Sequence, residues 1–138
     1  MPTTTSPKFV SDLYGAAVIS HSPVVMPIVP GGQLINMGSI MVENDPAGIP
    51  PDRRLRIIHE AAEIPNIFGI LIETIDAGAA GSTEEVNAAV DRKGAFRVDQ
   101  LEVGSNASVA PIDCVERFRE LGIFLEGLGV PRPVAPNP

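Results

Sequence analysis

Four acidic groups bracket one stretch of this chain, in which FGILIETIDAG is followed by AAVDRKGAFRVDQLEV: Glu73, Asp76, Asp91 and Asp99. Carboxylates paired in this way could share general acid and base work. Each also stands beside a turn, where Asp and Glu are expected on solvation grounds, and the residues are read as turn and rim positions. His59, Glu60 and Glu63 begin like the zinc-protease HExxH motif, but Glu63 replaces the second imidazole that the motif needs. Pro65 interrupts the segment soon after, and His21, the other histidine, lies in the N-terminal arm. Cys114 stands near a predicted helix start, yet no general base is placed by spacing, so it is expected as a small buried hydrophobe. Gly31-Gly32 and the GAAG of residues 78 to 81 lack the Lys-Ser/Thr of a phosphate loop. Arg53, Arg54 and Arg56, the one basic cluster, read as a solvated face or an intersubunit ion pair. No catalytic residue, metal ligand or cofactor is assigned, and the chain is expected not to be an enzyme.

The elements that carry these residues are short, because 14 Pro and 13 Gly are spread through 138 residues. The fold class expected is mainly β with one or two short helices. Residues 1 to 30 read as an extended arm, 31 to 129 as a β-rich domain, and 130 to 138, with four prolines, as a polyproline-like tail. Strands are predicted at 38 to 42, 54 to 60 and 67 to 75, the last being β-branched and nearly all apolar. Glu85 to Arg92 leads by Lys93 and Gly94 into a further strand at 95 to 98, and Gly94 is expected to make the bend. Ile112, Val115, Phe118 and Leu121, with Pro111 before and Gly122 after, predict a helix over 111 to 121.

Composition limits the partners. With 17 acidic against 10 basic residues, net charge −7, one Tyr and no Trp, the chain lacks the basic groove and stacking platforms of single-strand binders, so no direct nucleic-acid contact is expected. A lone cysteine excludes an intrachain disulfide, and the opening segment reads as neither a signal peptide nor a membrane anchor. Phe9, Val10, Leu13 and Tyr14 are apolar exceptions in the arm and are expected to dock somewhere, on this chain or another.

The order of motifs resembles the lambda-type head decoration proteins of tailed bacteriophages. A Gly-bounded strand, FGILIETIDAG, the Lys-Gly turn of DRKGAFRVDQL and the closing RFRELGIFL carry the likeness, over roughly residues 31 to 125. The resemblance implies a β-tulip or β-clip-like homotrimer, made in the bacterial cytoplasm and seated on the exterior of the expanded capsid, with the major capsid protein as partner. It implies that the N-terminal arm, with Thr3, Thr4, Thr5, Ser6, Lys8, Phe9, Val10, Leu13 and Tyr14, adds to a capsid-protein strand edge. Phe68, Ile70, Ile72, Phe96 and Phe118 are expected in the core or the trimer seam. Two other readings stay open: a small β-barrel enzyme subunit using His59 with Glu60 or Glu63, and another virion component such as a tail or fibre adaptor.

Overall fold

The computed structural model describes residues 10–17 and 19–127, and the chain there is mainly β. Strands β1 (Pro23–Ile28), β3 (Ile40–Asp45), β4 (Asp52–Ile57), β5 (Ile67–Leu71) and β7 (Val86–Asp91) close a barrel in the order β1-β4-β3-β5-β7. Two ribbons flank it: β2 (Leu34–Ile35) with β6 (Ile75–Asp76), antiparallel, and β8 (Gly94–Arg97) with β9 (Ile123–Glu126), parallel. The helices are α1 (Val10–Leu13) and α2 (Val115–Leu121), with short 3-10 turns at Ala61–Asn66, Val98–Gln100 and Pro111–Cys114.

The period-two alternation of strands builds two cores at once. Ile28, Met41, Leu55, Leu71, Ala88 and Val90 come from all five barrel strands and fill its inside, joined by Ile35 and Ala77. Ile40 and Val42 flank Met41 and face the other way, into a layer with Ile58, Ile67, Ile70, Leu13, Phe96, Cys114, Phe118 and Ile123. β3 is therefore apolar on both faces, and its first three residues are all buried. A register shift opposite Met41 and Val42 puts Ile67 on the same side as Ile70, although the two are three residues apart. Gly69 sits at that irregularity, where a Cβ would collide with the Asp91 carbonyl.

The predicted strand at 67 to 75 is cut in two. After Leu71, the Ile72 N–H still donates to Ala89 O at 3.1 Å, but the Ala89 N–H donates to Glu73 Oε2 at 2.6 Å. A side chain takes the place of the next ladder carbonyl, and the chain turns away to pair as β6 with β2. The helix predicted over 111 to 121 divides into a 3-10 turn and α2, and Gly122 (φ 92°) caps it by donating its N–H to Arg119 O. The strand predicted at 54 to 60 ends at Ile57, and Ala61–Asn66 form a 3-10 turn.

The arm boundary at residue 30 needs correction. β1 is a barrel strand pairing with β7 along its whole length, from Pro23 with Asp91 to Ile28 with Val86, and Leu13 is fully buried in the outer core. Proline is tolerated because the two sides of β1 differ. The Arg92 N–H donates to Ser22 O, whereas the Val29 N–H donates to Leu55 O, so odd-numbered residues turn their main chain away from β7. Pro23 and Pro27 hold odd positions, where no β7 bond is lost. Thr3, Thr4, Thr5, Ser6, Lys8 and Phe9, and the tail at 130 to 138, lie outside the described residues.

The barrel closes through one parallel register pair, Ile28 with Leu55. Leu55→Ala removes a fully buried side chain at that closure and is expected to cost about 2–5 kcal/mol. Ile49, 100% exposed at the tip of the β3–β4 hairpin, is the control. Ile49→Ala should change stability by no more than about 0.5 kcal/mol in the same urea titration.

Candidate functional site

The chemistry-bearing residues are not gathered where the acidic stretch suggested. Asp91 is 0% exposed, so its placing as a rim residue is overturned, while Glu73, Asp76 and Asp99 are exposed as expected. Glu73 accepts the Ala89 N–H, Asp76 accepts the Gly78 N–H at 2.9 Å, and Asp99 pairs with Arg97 at 3.2 Å. These are local turn and strand-end contacts, and they do not converge.

Asp91 instead gathers the N-terminal segment. At the end of β7 its Oδ2 accepts from His21 Nδ1 at 2.7 Å and from the Tyr14 hydroxyl at 3.4 Å. Its Oδ1 accepts the Ser22 N–H at 2.8 Å and the Lys93 N–H at 3.3 Å. A carboxylate offers about four acceptor positions, and here all of them are used inside the fold. His21, its side chain 26% exposed, must carry its proton on Nδ1 to donate when its ring is neutral. Its ring stacks on Tyr14 at 3.8 Å between centroids, and Phe96 meets both rings edge-on. Burial first, and then the Asp91 charge and hydrogen bond, raise the Tyr14 hydroxyl above the usual tyrosine range.

Gly94 makes this packing possible. Its φ is 124°, and any Cβ there would collide with the His21 imidazole. The bend expected at Gly94 is present, but β7 and β8 leave it for different sheets: β7 pairs with β1 and β5, and β8 with β9.

A second carboxylate holds the same segment further along. Glu126, at the end of β9, accepts the Ala16 and Ala17 N–H groups at 2.7 and 2.8 Å. These two bonds hold its carboxyl below the usual glutamate range. Gly15 lies directly beneath, where a Cβ would meet the Glu126 carboxylate. Tyr14 bridges Phe96 and the Gly15 N–H donates to Ala95 O at 2.8 Å, so residues 14 and 15 line the edge of β8. Residues 10–17 and 19–22 thus form a strap, fixed to β7 by Asp91 and to the β8–β9 ribbon by Glu126.

His59 is exposed, with Nδ1 donating to Ile57 O at 3.1 Å. It stands on the rim of a groove of about 430 Å³, floored by Ile35, Ile57 and Val103. Glu63 turns its carboxylate to the start of the 3-10 turn, accepting the His59 and Glu60 N–H groups, and pairs with Arg56 at 2.6 Å. Burial would raise its carboxyl, but the Arg56 bond and the two N–H groups outweigh it and the net shift is downward. Among the described residues no group of three or more His, Cys, Asp and Glu could hold a metal ion. The arginine cluster is paired within the chain: Arg53 with Glu43, Arg54 with Asp52, and Arg56 with Glu63. Cys114 is buried and its thiol is pushed up to about 11 by burial and by neighbouring Asp113. Ile70, Phe96 and Phe118 are fully buried in the outer core, and Ile72 packs on it half-buried. Phe68 is half-buried with the Arg92 guanidinium 4.1 Å over its ring. No helix of the described residues is long and apolar enough to cross a membrane. No protein-family model matches the chain, and neither does any curated protein.

Asp91→Ala would take the acceptor from the Ser22 and Lys93 N–H groups and from the His21 ring at once and should cost about 2–4 kcal/mol in denaturant unfolding. Glu126 has a lowered folded-state carboxyl, so its contribution is present above the unfolded glutamate range and is lost as pH falls through the folded value. Proteolysis at residues 15 to 17 should therefore accelerate on acidification below about pH 4, and in Glu126→Gln it should be fast and flat across the same range. In the native state at pH 8 the Cys114 thiol, protonated and buried, should react with a disulfide reagent at least about tenfold more slowly than in urea.

Proposed function

We propose that this chain is a virion structural protein that binds the outside of an expanded bacteriophage capsid as a homotrimer and stabilises it against the pressure of packaged DNA. The motif order described above supports the reading, and one structural observation carries it: the strap of residues 10–17 and 19–22 is anchored by two carboxylates, Asp91 and Glu126, onto a closed barrel. The nine residues ahead of Val10 therefore start from a fixed base. A short arm on a rigid base loses less freedom on binding than one on a loose chain. Leu13 and Tyr14, which the sequence reading gave to the capsid-binding arm, serve in this reading as the arm's root, and residues 2 to 9 are its reach.

Function then needs no bond making. In a trimer three arms act together, so once one has engaged the others bind at an effective concentration that raises avidity by about 10²–10⁴. A ligand that binds the expanded shell and not its broken form stabilises the shell by about 4 kcal/mol per site at a thousandfold excess over its dissociation constant. The net charge of −7 agrees with a partner surface of protein and not of nucleic acid.

The test compares the full chain with a variant lacking residues 2 to 9 on purified expanded shells that lack the protein. The full chain should be trimeric by light scattering and should saturate the shells. The shortened chain should keep its trimer and its unfolding midpoint while losing about 10²-fold or more in shell affinity. His59→Ala should bind as the full chain does. Equal binding by the shortened chain, or a monomer indifferent to shells, would sink the reading.

A further inference from the structure

A single apolar side chain in water needs no explanation, but one presented on a stiff tip, with a groove of matching character elsewhere on the same molecule, offers one half of a contact. Ile49 is such a residue. At the tip of the β3–β4 hairpin it is 100% exposed, against 71% for Val25, the next most exposed of the larger apolar residues described. The tip, Pro46-Ala47-Gly48-Ile49-Pro50-Pro51, carries no charge. It is also braced. At its base Asn44 Nδ2 donates to Asp52 Oδ2 at 2.8 Å across the two strands, and the Gly48 N–H donates to Asp45 O at 3.1 Å. Three prolines fix their own φ angles, so little freedom is left to lose when the tip is buried.

The groove of about 430 Å³ lies at the other end of β4, where Ile57 joins Ile35 and Val103 in its floor. A volume in the range of small-ligand sites takes an isoleucine with a flanking proline. Its lining has Arg56 and Glu102 as formal charges, with His59 neutral, and Arg56 is already paired with Glu63. An uncharged occupant therefore meets no unbalanced charge there. Every segment of the lining continues on both sides into described residues. A tip cannot reach the groove of its own chain. Asp52, where β4 begins, and Ile57, where it ends, stand about 17 Å apart along the strand, and the tip lies beyond Asp52.

We propose that Ile49 of one copy seats in the groove floored by Ile35, Ile57 and Val103 of the next, head to tail. Tip and groove are different patches, so each copy gives one contact and receives one, and the series closes into a ring or runs on as a fibre. Closure at three is what the homotrimer requires. The contact itself stands on the hairpin and the groove; only the count of three rests on the function proposed above. One seated isoleucine is a weak contact, but in a closed ring every copy is held at two places and the contacts reinforce one another.

The full-length chain is followed by sedimentation velocity from micromolar to millimolar concentration. Ile49→Asp and, on the groove's exposed rim, Ser105→Trp should each raise the concentration of half-assembly by about tenfold or more. Both sites are in water when the chains are apart, so the urea midpoint of dilute, separated chains should not move. Cross-linking gives the direction. With a short bismaleimide, Ile49→Cys mixed with Ser105→Cys should give linked pairs, neither should link alone, and the double variant should link into twos and threes. Cys114 is buried and does not compete. Cross-links in Ile49→Cys alone, or within one chain of the double variant, overturn the proposal. So does assembly that either Ile49→Asp or Ser105→Trp leaves unchanged, and so does assembly lost with residues 130 to 138 but kept in Ile49→Asp, since a tail would then fill the groove. A chain still monomeric at millimolar concentration refutes the contact whether or not it binds shells. Linked trimers that ignore phage shells would refute the shell reading alone, and a trimer that coats shells but is indifferent to Ile49 would refute this contact alone.

Discussion

The buried carboxylate of Asp91 is the constraint around which the rest of this structure is arranged. A carboxylate withdrawn from water is costly unless its lone pairs find donors, and here they find them in two main-chain N–H groups, an imidazole and a phenol. Satisfying it draws Tyr14, His21 and Ser22 onto the end of β7. That places Leu13 in the outer core and starts β1 in register with β7 at Pro23 and Asp91. The same requirement explains Gly94, whose missing side chain leaves room for the His21 ring.

Around that point the molecule has two apolar layers divided by β3 and β5. The inner one fills a five-stranded barrel and the outer one is roofed by α1, α2 and the β8–β9 ribbon. With few aromatic rings available, the layers rely on β-branched and aliphatic side chains that interlock from both faces of a single strand. Ile40, Met41 and Val42 show this, since consecutive residues serve alternate cores. The roof also ties the N-terminal strap to β9, through the Ala16 and Ala17 N–H groups that donate to Glu126.

The polar groups that first drew notice act mostly as local structure. Glu63 caps a turn and holds Arg56, Glu73 ends a strand, and Asp52 pairs with Arg54 through both its main-chain N–H and its guanidinium. Each is engaged by a neighbour within the fold.

Much of the fold was legible in residues 31 to 127, because strand and helix periodicity are local properties. Ile40 to Val42, the helix at Val115–Leu121 with its Gly122 cap, and the bend at Gly94 follow from side-chain pattern and from glycine's access to positive φ. The burial of Ile70, Phe96 and Phe118 and the solvation of Glu73, Asp76 and Asp99 were legible on the same grounds. What the sequence could not convey was partnership at long range. Two prolines made β1 look like part of an extended arm, because the side of a strand that needs no N–H is known only once its neighbours are placed. Asp91 looked like its acidic neighbours, because a carboxylate is buried or exposed according to donors that lie about 70 residues away in sequence. The sequence by itself determined a small, acidic, β-rich chain with short elements and an aliphatic core; tertiary structure alone decided which carboxylate went inside and which strand closed the barrel, since each depends on groups that only folding brings together.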